Sequence, residues 1–151
     1  MNKEKFPRGK RSLEEKKDEL RGEDLTGAWL AGADLKGADL QDAKLEGADL
    51  KDAYLRNAIL EGADLIDVDL KGARLEGAEL KDAKLVNADL RGADLKGADM
   101  TGANLSHANL QDANLFRINL DGADLFRTNL KGVDMTGVDI SNTFLDKWAE
   151  K

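Results

Sequence analysis

From Leu25 to Leu145 every fifth residue is Leu, Met or Ile, and the residue two positions earlier is usually Ala. Met100, Met135 and Ile140 are the only departures from Leu in that series. A fixed internal period governs the whole fold and takes precedence over any local reading. In an α-helix, steps of five residues advance by about 140°, which spreads the leucines around the axis and leaves no apolar face. In a flat strand the side chains alternate with period two, so an odd spacing sends successive leucines to opposite faces. Neither element fits. The pattern is met by a short extended piece with Ala and Leu pointing inward and one polar residue outward between them. A two-residue corner then resets the phase.

The corner residue two positions after each Leu is mostly Gly, as at Gly27, Gly62 and Gly92, or Asp/Asn, as at Asp42, Asn57 and Asp82. These types adopt left-handed turn geometry at least cost. The quintets read ADLKG at 33-37, ADLQD at 38-42, AKLEG at 43-47 and ANLSH at 103-107. In these residues the chain resembles the pentapeptide-repeat family, whose motif is A(D/N)LXX with the central Leu and the preceding Ala facing inward. The match runs without interruption over 23-147. The resemblance implies an all-β fold, a right-handed quadrilateral β-helix with four quintets per coil; periodicity alone gives a coil without fixing four sides. About six coils at ~4.8 Å between stacked strands make a rod roughly 30 Å long.

Three segments follow: a basic N-terminal tail and capping helix over 1-22, the repeat β-helix over 23-147, and a C-terminal cap and tail over 148-151. A repeat stack exposes an open core and unpaired edges at each end, so caps are expected. Ser12-Leu13-Glu14-Glu15 reads as a capping box opening a helix over 12-21, with Leu13 and Leu20 on the face that leans on the first coil. Phe144, Leu145 and Trp148 have the spacing of a short helical lid; the alternative is a contact between two copies, as the resemblance also allows. The inward Ala column changes to Ile118, Thr128, Val133, Val138 and Thr143, and these larger groups should reshape the last coils. Val68 is the single mid-rod case.

Cysteine is absent, which removes disulfide and thiolate chemistry and fits a reducing compartment. No apolar run follows MNKEKFPRGKR, so a signal peptide or membrane anchor is not expected there and a soluble cytoplasmic protein is. Residues 1-22 hold eight Lys/Arg and five Asp/Glu, which leaves 15 and 25 for residues 23-151, a net of −10. An acidic rod is a poor ligand for phosphates, so direct nucleic-acid binding is not expected.

With four quintets per coil, residues 20 apart stack. Asp24, Lys44, Asp64, Lys84, Asn104 and Asp124 then form a column of alternating charge. Trp29, Asp49, Asp69 and Asp89 form another, which is either a site for a cation or basic partner or a set of Asp side chains bonded to their own turns. Ile66, Val86 and Phe126 stack at one corner, and Phe116-Arg117 repeats the Phe126-Arg127 pair on the opposite side of the coil; these four hydrophobes are candidate partner contacts. His107 has no companion for metal binding, and no catalytic, cofactor or metal residue is recognisable. The reading is a rigid, non-enzymatic protein-binding or scaffold module, a monomer or end-to-end dimer, whose partner is another protein. The resemblance supplies an alternative, a DNA-mimicking inhibitor or protector of DNA gyrase, against which Lys44, Arg74 and Lys84 interrupt the negative columns.

Overall fold

The structure is a computed structural model and describes residues 14–145. Its architecture follows from where one quintet sends its backbone N–H groups. In Ala93-Asp94-Leu95-Lys96-Gly97, the Ala93 N–H donates to Leu90 and closes the preceding corner at 3.0 Å. Asp94 donates to Ala73 one coil below, while Leu95 and Gly97 donate to Asn114 and Phe116 one coil above, each at 2.9 Å. The fifth N–H, on Lys96, donates to the Asp94 carboxylate at 3.1 Å. Every donor of the unit is satisfied without a long strand, as a buried backbone requires.

Repetition of that unit builds the rod. Parallel bridges join residues 20 apart, from Asp24↔Lys44 through Lys84↔Asn104 to Asp124↔Phe144, so four quintets close each coil. The sides carry the bridging residues of Asp24, Trp29, Asp34 and Asp39 and their 20-residue successors. At the corners the second turn residue has φ near +60°, for example 66° at Gly97 and 55° at Asp82, as a type II turn demands.

Inside, the Leu and Ala columns are sealed: from Leu30 to Leu110 each inward residue is at most 1% exposed, and no polar or charged residue is buried among the described residues. Each buried Leu contributes about 1.5–3 kcal/mol before ordering entropy is subtracted. Val68 fits in the Ala column at the expense of its turn bond to Leu65, which lengthens to 3.3 Å.

At the N-terminal end the described part of the expected helix is short. Residues 14 and 15 are helical, and a 3-10 turn follows at Lys17–Glu19. This segment covers the first coil's free edge: the Glu14 carboxylate accepts the Asp34 N–H at 2.8 Å and the Lys17 carbonyl the Asp39 N–H at 2.9 Å. Leu20 is not on a helix. It takes the inward place of a first quintet, with Gly22 as its corner (φ 66°) and the Gly22 N–H on Gln41 at 2.8 Å, so the coil begins before the boundary expected at residue 23. Leu20 already lies on the five-residue series, and coil pairing outweighs one turn of marginal helix.

At the C-terminal end a helical lid does not start at Phe144. Phe144 bridges Asp124, exchanging N–H and carbonyl with Ala123 and Leu125, because one more strand satisfies backbone groups that a helix would leave open. Phe144 is 67% exposed and Leu145 37%. Leu13 and Trp148 lie outside the described residues. The last coil also lifts away on two sides: Asn114 and Asn119 bridge to the coil below, but Asp134 and Asp139 bridge to neither of them. Ile118 stands beneath Val138 in the Ala column, and two stacked β-branched groups need more room than the single Val68.

Candidate functional site

Chemistry is confined to the outside of the rod, in columns set by the four-sided register. On the Trp29 side, Asp49, Asp69 and Asp89 are stacked bridge partners. Each accepts the N–H two residues on, from Lys51, Lys71 and Arg91, at 3.1–3.2 Å. The next corner presents Lys51, Lys71 and Arg91, and these neutralise the column. Lys51 Nζ lies 2.8 Å from Asp69, and Arg91 Nε 2.8 Å from Asp89. The hydrogen-bonded Arg91 guanidinium holds the Asp89 carboxyl below its usual range, and Asp69 raises Lys51. These carboxylates are committed to their turns and to neighbouring cations. No group of His, Cys, Asp and Glu among the described residues could hold a metal ion.

Ile66, Val86 and Phe126 do share one corner column, and Ile66 and Val86 are half-buried. Phe126 is edge-on to His107, with ring centroids 5.7 Å apart, and lies beneath the Arg127 guanidinium. Phe116, 51% exposed, sits at a different corner between Lys96 and Arg117, so the structure does not bring it to Phe126. Trp29 is 65% exposed at the start of its side.

Two surfaces emerge that the sequence reading did not single out. Along the Asp39 side and its following corner run Asp39, Asp42, Glu61, Glu79, Asp82 and Asp99, with Lys81 paired to Asp99 at 3.4 Å. The adjoining Asp34 side is basic at both corners. Lys51, Lys71 and Arg91 flank it on one edge, Arg56, Lys96 and Arg117 on the other, and Tyr54 packs under both Lys36 and Arg74 at 4.9 and 4.8 Å. Over that second edge lies a shallow depression of about 470 Å³, lined among others by Arg56, Glu76, Asp94, Lys96 and Arg117. Glu76 Oε2 is buried there with no hydrogen-bond partner. The column 36, 56, 76, 96 was readable by the same 20-residue rule, but without coordinates nothing distinguished it from its neighbours.

His107, Arg117 and Arg127 hold left-handed φ values of 61°, 59° and 54°, where most corners use Gly, Asp or Asn. Such a conformation costs an ordinary side chain roughly 1–2 kcal/mol. None of the described helices is long and apolar enough to cross a membrane.

The family model described as "Pentapeptide repeats (8 copies)" matches the chain at residues 19–57, 48–85, 83–122 and 103–142. No curated protein matches the chain. Among solved structures, it is similar to HetL, a pentapeptide repeat protein involved in heterocyst differentiation regulation from the cyanobacterium Nostoc sp. strain PCC 7120. Identity is 36%, coverage 83% of this chain and 65% of HetL, and the TM-score 0.50. The chain thus spans just under two thirds of HetL's length. It is also similar to the pentapeptide repeat protein alr5209 of Nostoc, with 39% identity over 68% of this chain and 84% of that one, at a TM-score of 0.61. A trypsin-treated form of QnrB1, a plasmid-mediated fluoroquinolone resistance protein, shares the fold at 22% identity over 88% of this chain and 86% of that one, with a TM-score of 0.55.

Proposed function

This chain belongs to the pentapeptide-repeat family, and from that premise we propose that it is a non-enzymatic, cytoplasmic binding or scaffold module wound as a right-handed quadrilateral coil. One observation carries the reading. The inward positions are nearly uniform Leu and Ala, buried from Leu30 to Leu125, while most chemical variety lies on outward positions of the same rigid frame. A frame of this kind holds side chains at fixed ~4.8 Å steps along the rod, which preorganises a surface for a partner at little entropic cost. Its carboxylates line open faces and accept bonds from their own turns, an arrangement unsuited to a general acid-base pair, which needs environments pushed apart. Affinity capture on the immobilised protein from extract of the source cells tests this. Specific retention of a protein that an all-Ala-surfaced coil does not retain supports the reading, and recovery of no protein by a correctly melting sample contradicts it.

A second reading, inhibition or protection of DNA gyrase by an acidic rod, draws support from the carboxylate-rich Asp39 side. The basic corners of the adjacent side weigh against it. A supercoiling assay distinguishes the two: inhibition at micromolar protein favours the second reading, and unchanged supercoiling removes it.

A further inference from the structure

We infer that the depression on the corner between the Asp34 and Asp39 sides is a docking site for a short, extended acidic segment of a partner protein. The inference rests on the binding-module reading and gives it a location and a chemistry.

Three cations, Arg56, Lys96 and Arg117, line the depression, and none makes an ion pair with a carboxylate among the described residues, although Glu76 and Asp94 stand among them. Asp94 is already engaged by the Lys96 N–H and by Asn114 Nδ2 at 3.1 and 3.0 Å. Glu76 Oε2 is buried and accepts nothing. A buried acceptor left unpaired is unfavourable; Glu76 therefore lacks a donor, and the three cations lack an anionic partner. An acidic peptide supplies both: its carboxylates face the three cations, and a backbone N–H reaches Glu76. A phosphodiester backbone offers acceptors only, so it would meet the cations and leave Glu76 unpaired. That contrast selects polypeptide over nucleic acid.

Position and cost agree with this assignment. Arg117 occupies a corner where the same column uses Gly77, Gly97 and Gly137, and it keeps the left-handed φ of 59° that a side chain adopts reluctantly. It holds its guanidinium 5.2 Å from the Phe116 ring, which is itself flanked by Lys96. Exposed aromatic and Arg side chains together are the usual anchors of protein contacts. From Arg56 to Arg117 the column rises three coils, about 14 Å, which matches some four or five residues of extended peptide at ~3.3 Å each. The net charge of the rod does not prevent this, because at physiological ionic strength charges more than about 8 Å away are screened, and the charges that line the depression are Arg56, Lys96 and Arg117 against Glu76 and Asp94.

The test is fluorescence anisotropy of the full chain with a fluorescein-labelled, acetylated peptide of about six alternating Glu and Gly residues. We expect saturable binding that weakens with added salt and falls about tenfold in Arg56→Ala/Lys96→Ala, whose exposed positions leave the melt unchanged. Arg117→Gly should bind about fivefold more weakly while melting at a higher temperature, a pair of opposite changes that a purely structural arginine would not give. Absence of saturable binding up to about 1 mM peptide, equal binding by the double variant, or tighter binding of labelled oligothymidylate overturns the inference. If the double variant captures the same cellular protein as the parent, this surface is wrong and the module reading survives. Should the peptide bind while no cellular protein is captured, the module reading falls and the docking role that rests on it falls too.

Discussion

Gly92 and Gly102 share a left-handed backbone, with φ of 64° and 67°, yet differ in what surrounds them. A Cβ on Gly92 would meet open space, whereas on Gly102 it would enter the place of Asp82 Oδ1 from the coil below. The same relation joins Asp42 to Gly62, Asp52 to Gly72 and Asp112 to Gly132. In sequence, Gly and Asp look like interchangeable corner residues; stacked, they are complementary, the acid of one coil lying beneath the glycine of the next. Gly92→Ala should therefore cost about 1 kcal/mol from backbone alone, and Gly102→Ala more. The excess should vanish in an Asp82→Gly background, and a double-mutant cycle by chemical denaturation measures it. Inside, Leu85→Ala should cost about 2–5 kcal/mol and Ala88→Leu at least as much, because the column has no spare volume. Comparable melts for either variant and the parent would place those side chains outside. The inward assignments were legible at this scale because period five leaves one arrangement that buries Leu and Ala together.

The quintet is the element, and where its second residue is Asp or Asn that side chain accepts the fifth N–H, as in Lys71 on Asp69 and Thr101 on Asp99. Several of these carboxyls lie below their ordinary range. Arg91 does this for Asp89, and the Thr136 hydroxyl and N–H do it for Asp134. Partial burial alone would raise Asp99, but bonds from Thr101 and Lys81 outweigh it. A carboxyl depressed in the folded state stabilises above its unfolded pKa of about 3.9, and that contribution is lost as pH falls through the lower folded value. The melting temperature should hold between about pH 7 and 5 and fall below about pH 4. A rise on acidification would contradict the turn role of these groups. Where the ladder fails, the amides of Leu115 and Leu120 lack the bonds that Leu95 and Met100 make to the coil above, at 2.9 and 2.8 Å. Hydrogen exchange should be faster at 115 and 120 than at 95 and 100, and Ile118→Ala/Val138→Ala should slow it at 120. Equal protection at all four positions would show an unbroken last coil. A disturbance in these coils was readable from Ile118, Val133 and Val138; its confinement to two sides was not, since that depends on which large residues stack.

As a whole the molecule is a rod with its charge divided around the axis: carboxylates along the Asp39 side, cations at both corners of the Asp34 side, and the Asp49 column neutralised by Lys51 and Arg91. The net of −10 concealed this division, because summing along the chain mixes all four sides. Four-fold winding was available beforehand through a family resemblance and through the alternating charges that a step of 20 stacks at Asp24, Lys44, Asp64 and Lys84, for a period of five alone does not fix the number of sides. Everything assigned to a column therefore depends on the step of 20 residues. The chain contains no Cys, so a disulfide can report that step directly. Stacked strands bring Cα atoms about 4.8 Å apart, within the roughly 4.4–6.8 Å that a disulfide spans. Under mild oxidation, Lys84→Cys/Asn104→Cys should cross-link within the monomer while Lys84→Cys/Asp99→Cys, the pair a three-sided coil would stack, stays reduced. Closure of the second pair with the first left open would contradict the four-sided coil.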